Sequence, residues 1–210
     1  MFKGFNNRDF DVFKIDGLQE RMEKLIERIR PKLEDLGKEY AGELSALSGT
    51  EMHYHVAKHA RRTVNPPKDT WVAFAPNKRG YKMLPHFQIG LFESHVFIWY
   101  AVIYEAPMKV EISKKMLKNV MSIKQQIPDT FVWSPDHMKP EAVSHKELKD
   151  NGLEDLISRL GTVKKAELLC GVHVAREKAT SMTAEEWHSL LSSTFRQLMP
   201  LYEMHIVSSS

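Results

Sequence analysis

The chain has 210 residues, of which 42% are hydrophobic and 27% are charged, and its formal net charge is +3. This composition is typical of a globular protein and excludes a disordered or fibrous one. No apolar run exceeds nine residues, the first residues lack the apolar core of a signal peptide, and the one cysteine, Cys170, cannot form an internal disulfide, so we expect a cytoplasmic protein that does not contact the membrane.

The first quarter of the chain has the pattern of helices. Asn6 or Asn7 is a suitable N-cap for a short first helix. Across residues 18–47 apolar side chains recur at intervals of three and four. This spacing predicts a long amphipathic helix packed on a sheet rather than a coiled coil, because the pattern drifts from strict heptads. Pro31 predicts a kink or a short break in this helix, and Gly49 predicts its end.

The middle of the chain has the pattern of strands. Four segments are rich in β-branched, aromatic or alternating apolar residues: 53–59, 71–75, 86–92 and 96–104. The connection between the last two is short enough for a hairpin. The last segment is apolar on both parities, which is typical of a strand covered on both faces. We therefore predict an antiparallel meander with this last strand near its middle.

The second half of the chain mixes helices and strands. The apolar spacing predicts helices over residues 112–127 and 153–160, and a final helix that Pro200 kinks or ends. Strands are predicted at 130–133 and 165–176. The second of these strands is either the other edge of the sheet or a partner of the central strand.

Two pairs of residues have the spacing of capping boxes, Ser144 with Glu147 and Thr183 with Glu186, and each opens a helix. The last four residues are expected to be a frayed tail. Together these elements predict a single α+β domain over residues 1–210. In it an antiparallel sheet of about five to seven strands is packed by long amphipathic helices in two layers.

Histidines cluster on the first predicted strand. His53, His55 and His59 share one parity and therefore one face of that strand, and His86 begins a neighbouring strand. Two imidazoles on one face can ligate a metal, but no Asp, Glu or Cys falls inside this cluster, so we predict no metal and no cofactor. A structural or surface role for these histidines is one interpretation, and acid–base catalysis by one of them is the other.

A second place for acid–base chemistry is the loop sequence SPDH, which contains Asp136 and His137. A carboxylate beside an imidazole can fix its orientation and its tautomer. The catalytic candidates are therefore His55, His59, His86, Asp136 and His137.

Positive charge is concentrated in the same region. Between residues 53 and 92 seven basic residues and one acid give a local charge of +6. Most of the basic residues fall in two connections between strands, and guanidinium groups there match phosphate oxygens while an aromatic ring can stack on a base. The predicted ligand-binding residues are Arg61, Arg62, Lys78, Arg79, Tyr81 and His86. If both connections lie at one edge of the sheet, they form a phosphate site. The alternative is a solvated rim whose arginines pair with acids such as Glu93 or Glu105.

Several motifs run through the chain in a fixed order: HVAKHARRTVNPPKDTW, NKRGYK, PHFQIGLF, FIWYAVIYE and SPDH. The amino-terminal part adds Phe5, Asp9, Phe10, Ile15, Gly17, Leu18, Arg21 and Met22. In these motifs, and over most of its length, the chain resembles the YktB-like family of uncharacterised proteins from Gram-positive bacteria. The resemblance implies a single α+β domain with an antiparallel sheet, and it implies no particular activity.

The first function hypothesis is a cytoplasmic binding module for a phosphate-bearing ligand or nucleic acid. In it the four cations at positions 61, 62, 78 and 79 hold phosphate and Tyr81 stacks. The alternative is an enzyme that acts on a small anionic or phosphorylated substrate with a histidine as general acid or base. A third hypothesis is an interaction protein whose apolar surface serves an oligomer. The sequence leaves the ligand, the reaction and the oligomeric state open.

Overall fold

The computed structural model describes residues 1–205, and the segment 206–210, which includes the expected frayed tail, lies outside the described part. The chain forms one antiparallel sheet of seven strands with its long helices on one side. This architecture confirms the predicted α+β class. Within the described residues, no helix combines the length and the apolar character needed to cross a membrane.

The sheet is a meander extended by a second group of strands. Its strands are β1 (His53–Val56), β2 (Asp69–Ala75), β3 (His86–Phe92), β4 (His95–Val102), β5 (Val132–Ser134), β6 (Val143–Ser144) and β7 (Leu168–Ala175). They lie in the order β1-β2-β3-β4-β7-β5-β6, and each neighbouring pair is antiparallel. The strand β4 is therefore central, as predicted, and β7 is its partner rather than an edge strand.

Three of the helices begin at capping residues that the sequence predicts. They are α1 (Asn7–Phe10), α2 (Leu18–Lys24), α3 (Arg30–Ser48), α4 (Lys109–Lys118), α5 (Val120–Gln126), α6 (His145–Asp150), α7 (Leu153–Thr162), α8 (Arg176–Ser181) and α9 (Ala184–Glu203). The side chains of Asn6, Ser144 and Thr183 accept backbone hydrogen bonds at the starts of α1, α6 and α9, each in a complete capping box. These bonds satisfy backbone N–H groups that a helix leaves without partners at its first turn.

One face of the sheet is packed by α3 and α9 and is apolar; we call it the helix-covered face. Phe195 of α9 contacts the rings of Phe74 and Phe87 on two neighbouring strands. A Cβ atom at Gly37 would lie 2.3 Å from Cδ2 of Tyr54, so a glycine at this position lets α3 approach β1 closely. The helix-covered face thus holds the main hydrophobic core.

Two predicted elements in the first part of the chain, β1 and the long amino-terminal helix, differ from the structure in detail. The strand β1 ends at Val56 rather than at residue 59. The long amino-terminal helix does not break at Pro31; a π-helical turn over Leu25–Ile29 joins α2 to α3, and the proline lies in the first turn of α3. Proline is tolerated there because its missing N–H has no partner at a helix start.

Two helices in the second half also differ from their predicted extents. The helix predicted before Pro128 is divided at Asn119 into α4 and α5. The helix α9 continues through Pro200 and ends at Glu203. In both cases the apolar spacing correctly identified which side of the helix is buried. The exact start and end of each helix depend on tertiary packing.

The opposite face of the sheet is covered mainly by connections between strands, and we call it the loop-covered face. Trp71, Phe97 and Trp99 form a second apolar cluster there, and they are less than one-tenth exposed. Tyr81, from the β2–β3 connection, and Ala142, from the β5–β6 connection, pack against this cluster. The two connections therefore fold back over the sheet and exclude water from polar side chains that lie beneath them.

Candidate functional site

The loop-covered face carries most of the histidines that the sequence singles out. His55 lies on β1 and His86 begins β3, each at a register position of this face. His59 lies beyond β1 in a left-handed backbone conformation with φ of 52°. Its ring packs edge-on against Trp71, with the ring centroids 5.5 Å apart. His59 therefore reaches the same face from the β1–β2 connection rather than from the strand.

Tyr81 joins these residues into one cluster. The indole Nε1 of Trp71 donates a hydrogen bond to Tyr81 Oη at 2.9 Å. The Tyr81 ring stacks on His55 at 5.1 Å and contacts His86 edge-on at 5.0 Å between centroids. Burial raises the pKa of Tyr81 to about 12, so the phenol is neutral near pH 7 and its O–H remains a donor.

The three clustered histidines already have protein partners. His55 Nε2 donates to the carbonyl of Asn77 at 2.9 Å, and His59 Nε2 lies 3.1 Å from Thr70 Oγ1. His86 is fully buried: its Nδ1 donates to a backbone carbonyl at 2.7 Å and its Nε2 accepts from a glutamine amide at 2.8 Å. Burial lowers the pKa of His86 and of His59 to about 4. These rings are therefore neutral near pH 7 and contribute to the structure.

His137 has a different environment, because a buried carboxylate holds it. Its Nδ1 lies 2.7 Å from Glu167 Oε2, and its backbone N–H donates to the same oxygen at 2.9 Å. The side chains of His137 and Glu167 are only 10% and 5% exposed. An ionised carboxylate only accepts, so Nδ1 carries the proton of this bond and Nε2 remains available to accept or release one. We call this pair the His–Glu dyad.

Two further side chains hold the two halves of the dyad in place. Lys109 donates to the carbonyls of Val163, Lys164 and Ala166 at 2.8, 2.6 and 3.1 Å, and so it fixes the turn that leads into Glu167. Ser134 Oγ lies 3.1 and 3.2 Å from the carbonyl oxygens of Asp136 and Glu141 and so closes the loop that carries His137. Lys109 is only 8% exposed and Ser134 only 1%. The dyad is therefore built on braced backbone and not on mobile side chains.

A second buried carboxylate lies on the same face. Asp69 is 2% exposed, and no side chain in the described part of the chain donates a hydrogen bond to its carboxylate. Burial raises the pKa of Asp69 to about 6, and the nearby charges of His137, Arg62 and Lys82 oppose this rise. Asp69 therefore changes its charge close to physiological pH and is electrostatically coupled to the dyad.

Two grooves open on either side of the loop at residues 135–141. The first, which we call the dyad groove, has a volume of about 690 Å³ and is lined by His137, Glu167, Arg159 and Lys165 among others. The second has a volume of about 1060 Å³ and lies on the other side of the same loop. Both volumes lie in or near the range of small-molecule sites.

The two basic connections do not form one site at one edge. The β1–β2 connection leaves the Asp69 end of β2, whereas the β2–β3 connection leaves its Ala75 end. This corrects the assumption that they converge, because in an antiparallel meander successive connections alternate between the two ends. Arg61, Lys78 and Arg79 are exposed and, within residues 1–205, none lies within ion-pair distance of an acid.

The acids proposed as partners of these arginines pair elsewhere. Glu105 lies 3.8 Å from Lys82 Nζ, and Glu93 lies 3.9 Å from Lys14 Nζ. The β2–β3 connection nevertheless reaches over the sheet, because its Tyr81 packs on the apolar cluster and accepts a hydrogen bond from Trp71. Tyr81, unlike the exposed Lys78 and Arg79 of the same connection, packs against the apolar cluster of the loop-covered face.

The residues around the dyad also have the composition of a cation site. Asp136, His137 and Glu167 each offer one ligand atom, and these atoms lie within 4.8 Å of one another. In the structure His137 and Glu167 bond each other, so a cation would have to displace that hydrogen bond. The Asp136 carboxylate already contacts its own loop, since its Oδ1 accepts a hydrogen bond from the N–H of Met138 at 2.9 Å. The carboxylate that orients His137 is therefore Glu167 and not Asp136.

Sequence reasoning did not select Glu167, Asp69 or Lys109. Asp69 is the only acid among the basic residues between positions 53 and 92, and that isolation was a usable signal. Glu167 immediately precedes the apolar run of β7, which marks a carboxylate at a strand end. Its pairing with His137 spans 30 residues and depends on tertiary structure.

Comparisons with known proteins find one family that matches nearly the whole chain. Residues 5–202 match the family described as "Domain of unknown function (DUF1054)". A UPF0637 protein of Bacillus cereus strain AH187 is 52% identical over 200 residues, which cover 95% of this chain and 96% of that protein. A UPF0637 protein of Bacillus thuringiensis strain Al Hakam has the same identity and coverage.

Proposed function

The chain belongs to the DUF1054 family, a family defined without an activity, and we propose that it is an enzyme that acts on a small anionic molecule with His137 as general base or acid. The observation that carries this proposal is the 2.7 Å bond between His137 Nδ1 and a carboxylate that is almost fully buried, in the wall of a groove. The exposed cations of the two basic connections are not part of this site.

The dyad is suited to proton transfer. Glu167 selects the tautomer of His137 that has the proton on Nδ1, and it stabilises the positive charge that the ring gains when Nε2 accepts a proton. The second bond to the same carboxylate, from the backbone N–H of His137, restricts the loop as well as the ring. A base held in this way does not have to be oriented when the substrate arrives.

The dyad groove indicates the class of substrate. Arg159 and Lys165 contribute positive charge to its wall, while Asp155 and Asp136 contribute negative charge. Leu156 adds an apolar surface. A compact polar molecule with one anionic group fits this lining better than a long polymer, because its charge meets the two cations and the acids repel a second negative group.

The test is a turnover screen with a matched control. The wild-type protein is incubated with phosphomonoesters, acyl phosphates and carboxylate esters, and release of product is measured beside His137→Gln and His53→Gln. We expect a loss of at least about 100-fold in kcat for His137→Gln, which is the usual contribution of a general base, and little change for His53→Gln. Turnover that is equal in all three proteins, or no turnover on any substrate class, would contradict the proposal.

A direct readout avoids the need for a substrate. In a histidine NMR titration, His137 should keep its proton on Nδ1 in the neutral form, and Glu167→Gln should change its tautomer ratio. His53, which makes only a 3.9 Å contact with Glu51, should show no such change. A tautomer ratio at His137 that is indifferent to Glu167→Gln would remove the basis of the proposal.

A second candidate function is binding of a nucleic acid. It is favoured by one observation: Arg61, Lys78 and Arg79 are exposed and, in the described part of the chain, have no acidic partner. The two connections leave β2 at opposite ends, so one polyanion would have to contact the exposed cations of both connections. Fluorescence anisotropy with labelled RNA and DNA tests this, with Arg61→Ala/Arg62→Ala beside Lys78→Ala/Arg79→Ala. Binding that falls steeply with salt and weakens in both variants supports it, and no binding at low salt excludes it.

A further inference from the structure

The larger groove, on the other side of the loop at residues 135–141, is lined by several separate parts of the chain. Arg21 of α2, Lys68 before β2, Phe92 at the end of β3 and Arg176 at the start of α8 all line it, together with Met138 of the loop. We call it the arginine groove. Its chemistry differs from that of the dyad groove, because it contains a buried cation.

Arg21 is a guanidinium without a carboxylate partner. It is 8% exposed, its Nε donates to the carbonyl of Ile15 at 2.8 Å and its Nη1 donates to the carbonyl of Pro67 at 2.9 Å. Within residues 1–205, no acid lies within ion-pair distance of it and no group accepts a hydrogen bond from its Nη2. Burial lowers the pKa of Arg21, while the more distant charges of Asp16 and Glu93 raise it.

The two carbonyl bonds fix the direction of the Arg21 side chain, but they do not neutralise its charge. A buried charge without a counter-ion is costly, and an arginine keeps its proton under all ordinary conditions. The remaining N–H groups of the guanidinium form a planar fork that matches a phosphate or a carboxylate. An anion in the groove would supply the missing counter-ion.

The ion pairs of the other cations in the groove indicate where such an anion would bind. Arg176 is paired with Asp11 at 2.9 Å, and Lys139 lies 3.7 Å from Asp136. Lys68 is exposed and, among the described residues, forms no ion pair. Arg21 and Lys68 are therefore the cations of the groove that, within residues 1–205, form no ion pair. Three acids also line the groove, Glu93, Glu141 and Glu177, and the charge of Glu93 acts on Arg21.

The groove also has an apolar lining. Phe13 and Phe92 are 5% and 4% exposed and contribute to its wall, and Met138 is 46% exposed and contributes to its rim. Aromatic rings and a flexible methionine suit an apolar or aromatic body. The acids elsewhere in the groove disfavour a ligand with several negative groups.

We propose that the arginine groove binds a small molecule with one oxyanion head, phosphate or carboxylate, held by Arg21 and Lys68, and with an apolar body that lies on Phe13 and Phe92. This site is separate from the dyad groove and does not depend on the function proposed for His137. The ligand of the arginine groove is therefore neither the substrate proposed for His137 nor a nucleic acid, but a second molecule that the protein binds.

The experiment is isothermal titration calorimetry with four probes: inorganic phosphate, phenyl phosphate, phenylacetate and benzyl alcohol. We expect phenyl phosphate and phenylacetate to bind the wild-type protein, inorganic phosphate to bind more weakly, and benzyl alcohol not to bind. Lys68→Ala should weaken binding by about tenfold, as expected for loss of a charged hydrogen bond. Lys78→Ala, an exposed lysine at the other end of β2, is the matched control and should bind as the wild type does.

Arg21→Gln should abolish binding of all anionic probes. Because Arg21 also holds two backbone carbonyls, its variant is compared with the wild type by circular dichroism, and Arg21→Lys, which keeps the charge but not the fork, should bind weakly. If Lys68→Ala and Lys78→Ala bind alike, if benzyl alcohol binds as well as phenyl phosphate, or if no probe binds at millimolar concentration, the proposal is overturned. His137→Gln should leave binding unchanged, so failure here and failure of the proposed enzyme function are distinguishable.

Discussion

The two faces of one sheet differ in what they bury. The helix-covered face buries phenylalanines and aliphatic side chains between β2, β3, β4 and α9. The loop-covered face buries fewer aromatic rings, among them Trp71, Phe97 and Trp99, and it places histidines, Asp69 and Tyr81 beside them. Apolar burial is favourable wherever it occurs, whereas burial of titratable groups costs free energy unless each group is paired or neutral. The difference separates the face that holds the main hydrophobic core from the face on which we propose the functional site.

On the loop-covered face, the free-energy cost of burying titratable groups is reflected in the pKa values of its side chains. Burial lowers the pKa of His95 to about 4 and that of His173 to about 3, and it raises the pKa of Asp69 to about 6. The rings of His95 and His173 lie 3.8 Å apart, and in the described chain the Nε2 atoms of both are buried without a hydrogen-bond partner. Together with the dyad and its groove, these groups support the proposal that places the functional site on the loop-covered face.

The largest loss of stability is expected on the helix-covered face. Phe195 is fully buried and contacts Phe74, Phe87 and Tyr40. Phe195→Ala removes a ring from a closely packed core, and we expect a loss of about 3–5 kcal/mol in the free energy of unfolding. Urea denaturation measures it. A loss below about 1 kcal/mol would mean that the two faces do not differ in this way.

The next effect is a loss of stability in acid that originates on the loop-covered face. The pKa values of His86, His95 and His173 are lowered by burial to about 4, 4 and 3, so the unfolded chain binds more protons than the folded one between the folded pKa and about 6.5. Stability is therefore complete above that range and falls as pH decreases through it, with His86 contributing up to about 3 kcal/mol.

The midpoint of urea unfolding, measured from pH 7 to pH 5, checks this dependence. His173→Phe keeps a ring beside His95 and removes one titrating group, so the decline should become shallower. His53→Gln, which removes a partly exposed histidine at the edge of the sheet, is the control and should leave the slope unchanged. A slope that His173→Phe does not alter would remove the paired histidines from this account.

Asp69 is expected to lower the free energy of unfolding as pH rises, which is opposite in direction to the effect of the histidines and smaller than their combined effect. Its folded pKa of about 6 lies above the ordinary value of 3.8 because burial disfavours the charge. The folded state therefore carries a cost that appears as pH rises from about 4 through 6 and is complete above that. Asp69→Asn should stabilise the protein at pH 8 by up to about 3 kcal/mol and change little at pH 4. Urea unfolding at both pH values tests this, and destabilisation at pH 8 would show that the carboxylate is structural.

Much of this contrast was accessible from the sequence, because it rests on local patterns. The alternation in β1, the doubly apolar β4 and the capping boxes at Ser144 and Thr183 each depend on neighbouring residues alone, and the sheet and the helices followed from them. The predicted meander was already sufficient to show that the two basic connections do not meet at one edge. Successive connections in an antiparallel meander lie at opposite ends of the sheet.

The dyad was not accessible in the same way. It requires β7 to lie between β4 and β5, so that Glu167 at the start of β7 faces the loop that follows β5. Strand order of this kind is set by packing over the whole sheet and leaves no trace in a short window of sequence. The same reason hid the role of Arg21, because its bond to the carbonyl of Pro67 depends on the meeting of α2 with the β1–β2 connection.

The smallest change in stability is expected at the carboxylate that the sequence favoured, Asp136. Its Oδ1 accepts from the N–H of Met138, a bond that an asparagine oxygen also makes, and its ion pair with Lys139 is exposed. Asp136→Asn should therefore change the free energy of unfolding by less than about 0.5 kcal/mol. The same exchange at Glu167 removes a buried charge from His137, so Glu167→Gln should lower turnover by at least about 100-fold while Asp136→Asn leaves it within about twofold. If the two variants lose turnover equally, both carboxylates act on His137, and the geometry favours a shared ligand, such as a cation, over a dyad.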